Sequence, residues 1–203
     1  MDEAEAACAP GTPILVYGDC AAIDADGKLL YPSLCMHQGW KREALGLKPL
    51  LVQNNATGCT MLLNRPLRDL VVSHLPEEPV LHDWFIALTA AAFGAVSFVD
   101  VPTVEYRQHG DNAIGASRAS LPRRAAHSLR PADAARARIA RTYENAALFR
   151  AAYADALPEG AARCVDAYLA TRTLPKLRRV LRVQRKGYRM QSWLFRMGQV
   201  VFG

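Results

Sequence analysis

The sixteen residues from Trp84 to Val99 carry no charge, and their pattern changes at Gly94. Before Gly94 nearly every position is apolar, as in a helix buried on most of its surface, and Gly94 is placed to close that helix in the left-handed conformation. After it, "AVSFVDVPTVEY" is rich in β-branched and aromatic residues, which predicts one or two short strands interrupted at Pro102. The run is shorter than the roughly 20 residues a spanning helix needs, so no transmembrane segment is expected. A second apolar run, "PILVYGD" at residues 13–19, suits a strand buried on both faces of a mostly parallel sheet. Together the two runs predict an α/β fold, with Asp19 at the carboxyl end of its strand, where open α/β sheets place their ligands.

Between these runs, "DADGK" at residues 24–28 has strong turn chemistry, and "PSLCMHQGWKREALG" reads as loop with one short helix. "QNNATGCTMLLNR", residues 53–65, passes from polar loop through Gly58 into a strand ended by Asn64, and Pro66 opens a helix through about Val72. Hydrophobic residues make up 51% of the 203 and charged residues 22%, which is enough for one sizeable core plus an appendage. The five cysteines lie far apart, with no C-x-x-C pair and no histidines at zinc spacing, so they are read as reduced thiols of a cytosolic protein. The acidic start "MDEAEAACAP" lacks the order of a signal peptide.

The net charge of +6 hides an asymmetry: residues 1–110 hold 7 Lys+Arg against 13 Asp+Glu, and residues 111–203 hold 18 against 6. A basic second part points to an anionic partner, which by charge alone is a membrane surface, nucleic acid or a phosphorylated ligand. Its end, "LPKLRRVLRVQRKGYRMQSWLFRMGQVVFG", interleaves Leu, Val, Trp and Phe with Lys and Arg, as an interfacial helix on anionic lipid does; a solvated helical extension is the plainer reading. Nucleic acid is the weaker choice, since no recognised binding motif accompanies the charge.

Three clusters carry candidate chemistry. In "EEPVLHDWFIALTAAAFG", residues 77–94, His82 and Asp83 stand at the mouth of the apolar helix. Asp83 is either a cap accepting orphan backbone N–H groups or a carboxylate held at the rim of an active site. In "EYRQHGDN", residues 105–112, Arg107 and His109 alternate, so an extended chain puts a guanidinium and an imidazole on one face, fit for phosphate or metal-phosphate; the alternative is a polar strand end facing water. In "NNATGCT", Asn54, Asn55 and Thr57 are uncharged groups of the kind that orient sugar hydroxyls, and Gly58 permits close ligand approach; the alternative is an Asn-rich turn.

The order and wording of "PILVYGDCAAIDADGKLL", "NNATGCTMLLNR" and "HDWFIALTAAAFGAVSFVDVPTVEYRQHGDNAIGA" resemble the second half of bacterial family-2 glycosyltransferases, particularly the rhamnosyltransferase-like group of polysaccharide assembly. The likeness spans roughly residues 13–117 and is most specific at H-D-W and Y-R-Q-H-x-x-N. It implies a partial A-type fold, a mixed and mostly parallel sheet with flanking helices, over residues 1–117, followed by a basic helical extension over 118–203. The implied activity is inverting transfer of a sugar, rhamnose by the nearest likeness, from a nucleotide-sugar donor to a glycan or lipid-linked acceptor in cell-surface polysaccharide synthesis.

By the same resemblance Asp83 is the general base, His82 and Trp84 shape the acceptor pocket, with Trp84 stacking on a sugar ring, and Arg107 and His109 lie near the leaving diphosphate, with His109 against a divalent metal. The family's first half, with its nucleotide-binding turn and D-x-D motif for Mg²⁺ or Mn²⁺, has no counterpart before Pro13; "DAD" at 24–26 has the spelling but sits in a turn. The expectation is therefore a fragment, a product needing a separate N-terminal half, or a misassigned start, located in the cytoplasm and peripherally on the inner face of the membrane. The competing expectation is a catalytically inactive module that binds anionic membrane through its basic tail.

Overall fold

The computed structural model describes residues 1–77, 81–108 and 131–203. After a short helix α1 (Asp2–Ala6), strand β1 (Ile14–Ile23) forms the spine of a mixed four-stranded sheet. One edge of β1 pairs along its whole length with the parallel strand β4 (Ala95–Arg107). The other edge is shared by two short antiparallel strands, β3 (Met61–Leu63) against Leu15–Tyr17 and β2 (Leu29–Tyr31) against Ala22–Ile23. The fold is thus α/β with flanking helices, and among the described residues one of the three strand pairings is parallel.

Between the strands lie α2 (Leu34–Gln38), α3 (Leu47–Val52), α4 (Arg65–Val72) and α5 (His82–Phe93). Asn64 joins two of these elements: its Oδ1 accepts from Leu67 N to cap α4 and from Ile14 N at 2.9 Å, while its Nδ2 donates to the Thr12 carbonyl. Pro66 stands in the first turn of α4, where its missing N–H costs no hydrogen bond. The apolar run becomes α5 and β4, with two corrections at the join. Gly94 is not left-handed (φ −162°); glycine is required because a β-carbon there would lie 1.9 Å from the Pro13 carbonyl oxygen, beside the 2.9 Å hydrogen bond from Ala95 N to that oxygen. Pro102 does not divide β4, because the register slips opposite Gly18 and Asp19 and the proline sits in that irregularity, where no ladder donor is needed.

Asp19 is likewise not at a strand end. The strand runs on to Ile23, and Asp19 is buried in its middle, accepting from Cys20 N, Cys35 N and the Ser33 hydroxyl. With Ser33 capping α2, this carboxylate anchors the α2 loop to the sheet.

The second part of the chain is helical: α6 (Pro131–Tyr153), α7 (Glu159–Leu169), α8 (Lys176–Lys186) and α9 (Trp193–Phe202). It is not an appendage. One hydrophobic core contains Leu15, Leu67, Phe85 and Leu88 together with Phe149, Tyr153, Val165 and Tyr188, so the division at 117/118 separates charge rather than packing. Phe85 sits within 5.8 Å of both the Phe149 and Tyr153 rings, and burying a side chain of that size stabilises by about 1.5–3 kcal/mol. The Thr89 and Tyr153 hydroxyls meet at 2.9 Å across the same seam. The loop after α8 is sewn in as well, because Gln191 N donates to Gln53 Oε1 and Gln191 Oε1 accepts from Lys41 N.

Candidate active site

Asp83 is the second residue of α5, after the N-cap Leu81, which has no side-chain cap. Its Oδ1 accepts the N–H of Trp84 at 2.7 Å, and the Gly58 backbone adds a hydrogen bond from the facing 3-10 turn Gly58–Thr60. The residue is only 8% exposed. Burial raises its pKa above the usual carboxylate value, opposed by the Trp84 N–H, the neighbouring His82 and the Gly58 hydrogen bond. The arrangement holds one carboxylate in a fixed rotamer at the positive end of a helix while making its charge less comfortable than in water.

His82 is exposed beside it, and a β-carbon on Gly58 would come within 3.2 Å of its Nε2 and 3.4 Å of Asp83 Cβ. Gly58 is therefore the close-approach glycine of the cluster, facing its own carboxylate. Trp84 is turned inward, 6% exposed, with Nε1 donating to the Leu50 carbonyl at 2.5 Å. So placed, the indole fixes the first turn of α5 to α3 and offers no open face for stacking on a sugar.

The Asn and Thr side chains of "NNATGCT" also make internal hydrogen bonds, although Asn55 Oδ1 is buried without a partner among the described residues. Asn54 closes a turn on Ala56 through both its side-chain groups, and Asn55 is buried with Nδ2 on the Lys41 carbonyl. Thr57 hydrogen-bonds the Cys20 side chain, and its carbonyl accepts from Thr60. Arg107 does not join Asp83: its Nη1 donates to the Ala25 carbonyl at 2.5 Å and reaches that of Asp24 at 3.4 Å, gripping the "DADGK" turn. In that turn Asp24 Oδ1 accepts the N–H groups of Asp26 and Lys28, the work of a turn residue rather than a metal ligand. His109 lies outside the described residues.

The cluster around Asp83 includes residues that the sequence reading passed over. Burial pushes the Cys20 thiol up to about 12, with Cys59 beside it adding to the rise and the Thr57 hydrogen bond opposing it. Tyr106, half-buried on β4, has its hydroxyl pKa raised by burial and then by Cys59, Cys20 and Asp83, which places it in the same electrostatic neighbourhood. Strand alternation is the signal that could have found it: Tyr106 and Arg107 point to opposite faces, so the residue gripping the turn leaves its neighbour for the site. All five cysteines are free. Among the described residues no three His, Cys, Asp or Glu side chains gather as a metal site, and no helix is long and apolar enough to cross a membrane.

No protein-family model, curated protein or solved structure matches the chain. What the site offers is general chemistry: a raised-pKa carboxylate at a helix N-terminus, flanked by an exposed imidazole, a phenol and a thiol. A carboxylate of that kind takes a proton from a hydroxyl held against it.

Proposed function

We propose that the chain is the acceptor-side part of an inverting glycosyltransferase that moves a sugar from a nucleotide-sugar donor to a glycan or lipid-linked acceptor. The observation that carries the reading is Asp83, buried at a helix N-terminus with its pKa raised by burial, and hydrogen-bonded by the Gly58 backbone that packs against it. In the reaction the Asp83 carboxylate takes the proton of an acceptor hydroxyl as that oxygen bonds to the anomeric carbon. The bond from that carbon to the diphosphate oxygen breaks, the nucleoside diphosphate leaves with the electron pair, and the configuration inverts. Proton transfer of this kind contributes about 10²- to 10⁴-fold. His82 and Tyr106 are the side chains suited to hold the acceptor hydroxyls.

On this reading Asp83 and its neighbours serve the acceptor, and the donor and the Mg²⁺ or Mn²⁺ of the resembled family are assigned to none of the described residues. Asp24 is engaged in its turn, so no step is routed through a metal here. The second edge of β4 is open, since among the described residues it pairs only with β1 and leaves Val99 and Val101 exposed. Rhamnose is the donor sugar the sequence resemblance suggests, and the surface polysaccharide is the product it suggests. The test is gene deletion with analysis of surface-polysaccharide sugars. Loss of one sugar, restored by the wild-type chain and not by Asp83→Asn at equal protein level, is expected; an unchanged sugar composition in the deletion strain would overturn the reading.

A further inference from the structure

Helix α9 turns an apolar face to solvent. Trp193, Leu194, Met197, Val200 and Val201 are all exposed, Trp193 to 75%, and their i, i+1, i+4, i+7, i+8 spacing puts them on one face. The opposite face is fixed to the core. Phe195 lies under the Arg138 guanidinium at 4.0 Å, and Phe202 lies under Arg136. Buried Gln199 donates to the Tyr188 carbonyl at 2.9 Å and accepts from Met190 N. The exposed face is therefore held outward by a built inner face, and no rotation of the helix hides it.

The chain that leads into and through that face carries only positive charge. After Asp166 the chain contains no acidic residue, while Arg172, Lys176, Arg178, Arg179, Arg182, Arg185, Lys186, Arg189 and Arg196 supply nine positive charges. Among the described residues none of the nine forms an ion pair. Lys176 Nζ donates to the Val201 carbonyl at 2.5 Å, which ties the start of α8 to the end of α9. On α8, Leu177 and Leu181 are exposed one turn apart beside exposed Arg178, Arg182 and Arg185.

We infer that α8 and α9 form a docking surface for an anionic lipid bilayer, in which the apolar face of α9 enters the headgroup boundary and the surrounding cations meet the lipid phosphates. A protein partner of matching chemistry needs a cavity for Trp193 and carboxylates opposite nine cations, whereas a bilayer offers both an apolar layer and a continuous negative surface without shape matching. A second copy of this chain presents the same positive charge and is repelled. The inference does not depend on the transfer chemistry proposed for Asp83.

The test uses the full chain with vesicles of phosphatidylglycerol mixed with phosphatidylcholine, and with phosphatidylcholine alone. Expected are co-sedimentation with the anionic vesicles, weakened by salt, and a blue shift of Trp193 emission with quenching by brominated lipid. That quenching is absent in Trp193→Phe. The triple variants Trp193→Ser/Leu194→Ser/Met197→Ser and Arg178→Gln/Arg182→Gln/Arg185→Gln, with unchanged circular dichroism, each bind about ten-fold more weakly or worse. Wild-type emission also contains Trp40 and Trp84, so the lipid quenching is assigned to Trp193 by its loss in Trp193→Phe, a conservative change that keeps an apolar ring at that exposed position. Unquenched Trp193 emission, equal binding by the variants, tighter binding to oligonucleotides than to vesicles, or a solution dimer dissolved by the apolar triple variant would each overturn the proposal.

Discussion

The Gly58 backbone hydrogen-bonds the Asp83 carboxylate, and a β-carbon on Gly58 would lie 3.7 Å from Asp83 Oδ2. The relationship joins residues 25 positions apart through two elements, the 3-10 turn before β3 and the first turn of α5. It leaves the carboxylate with backbone hydrogen bonds from Trp84, Gly58 and its own residue and very little water, so capping and base chemistry make opposite predictions about its cost.

If Asp83 were chiefly a cap, its removal would destabilise the protein by about 1 kcal/mol. Its raised pKa argues the reverse. A carboxyl whose folded pKa exceeds its unfolded value gives stability that is complete below the unfolded value, about 3.9, and is lost as pH rises through the folded value. Asp83→Asn keeps an oxygen for the Trp84 N–H and removes that loss. The variant is expected to melt at the wild-type temperature or higher at neutral pH, and to lose the advantage in acid. Thermal unfolding across pH measures this, and a variant less stable at neutral pH makes Asp83 a cap.

Gly58→Ala meets only the exposed tip of His82 at 3.2 Å and Asp83 Cβ at ordinary contact distance. Stability should change by less than about 1 kcal/mol, because the imidazole can swing away. Activity should fall about ten-fold, because sub-ångström displacement of a reacting group is costly. Denaturant titration and a transfer assay on the same preparation separate the two effects.

Gly94→Ala is the opposite case. The new methyl would collide with the Pro13 backbone, 1.9 Å away, where β1 and β4 begin to pair. A loss of about 3 kcal/mol or more is expected, since backbone rather than a flexible side chain must move. Circular dichroism of the purified variant gives the answer.

Tyr153→Phe tests whether α6 belongs to the core. Thr89 Oγ1 already donates to the Phe85 carbonyl at 2.9 Å, so the Tyr153 hydroxyl is the donor to Thr89, and burial pushes its pKa up to about 12, keeping it neutral. Removing one buried donor costs about 1 kcal/mol. Chemical denaturation should lower the midpoint of a single transition read by fluorescence and far-ultraviolet signals alike; separate transitions for the two parts would show that the core is divided.

Local signals in the sequence reached a good distance. Asn64 followed by Pro66 marked the end of β3 and the start of α4 correctly, and "DADGK" is the turn its residues predict, with Gly27 left-handed. Long-range pairing was not legible. Nothing local to "PILVYGD" says that β1 continues to Ile23, because the polar Asp19 ends the apolar pattern and its three donors come partly from residues 14 and 16 positions on. The charge asymmetry between residues 1–110 and 111–203 marks no division in the packing. Arg and Lys occupy the outer faces of helices whose inner faces, such as Phe149 and Val165, complete the core. At the site, Asp83, His82 and Gly58 do come together. Asn54, Asn55, Trp84 and Arg107 are engaged elsewhere, since donors and acceptors in sequence do not reveal that neighbouring backbone will satisfy them first.

The central claim is that Asp83 is the base for sugar transfer. The most direct measurement is incorporation of labelled sugar from a nucleotide sugar into polymer by extract of the deletion strain, supplemented with purified wild-type or Asp83→Asn chain. The account predicts incorporation with the wild type, with an acidic limb displaced above the ordinary aspartate range, and a loss of about 10²-fold or more in the variant. Equal incorporation with the two chains would contradict it.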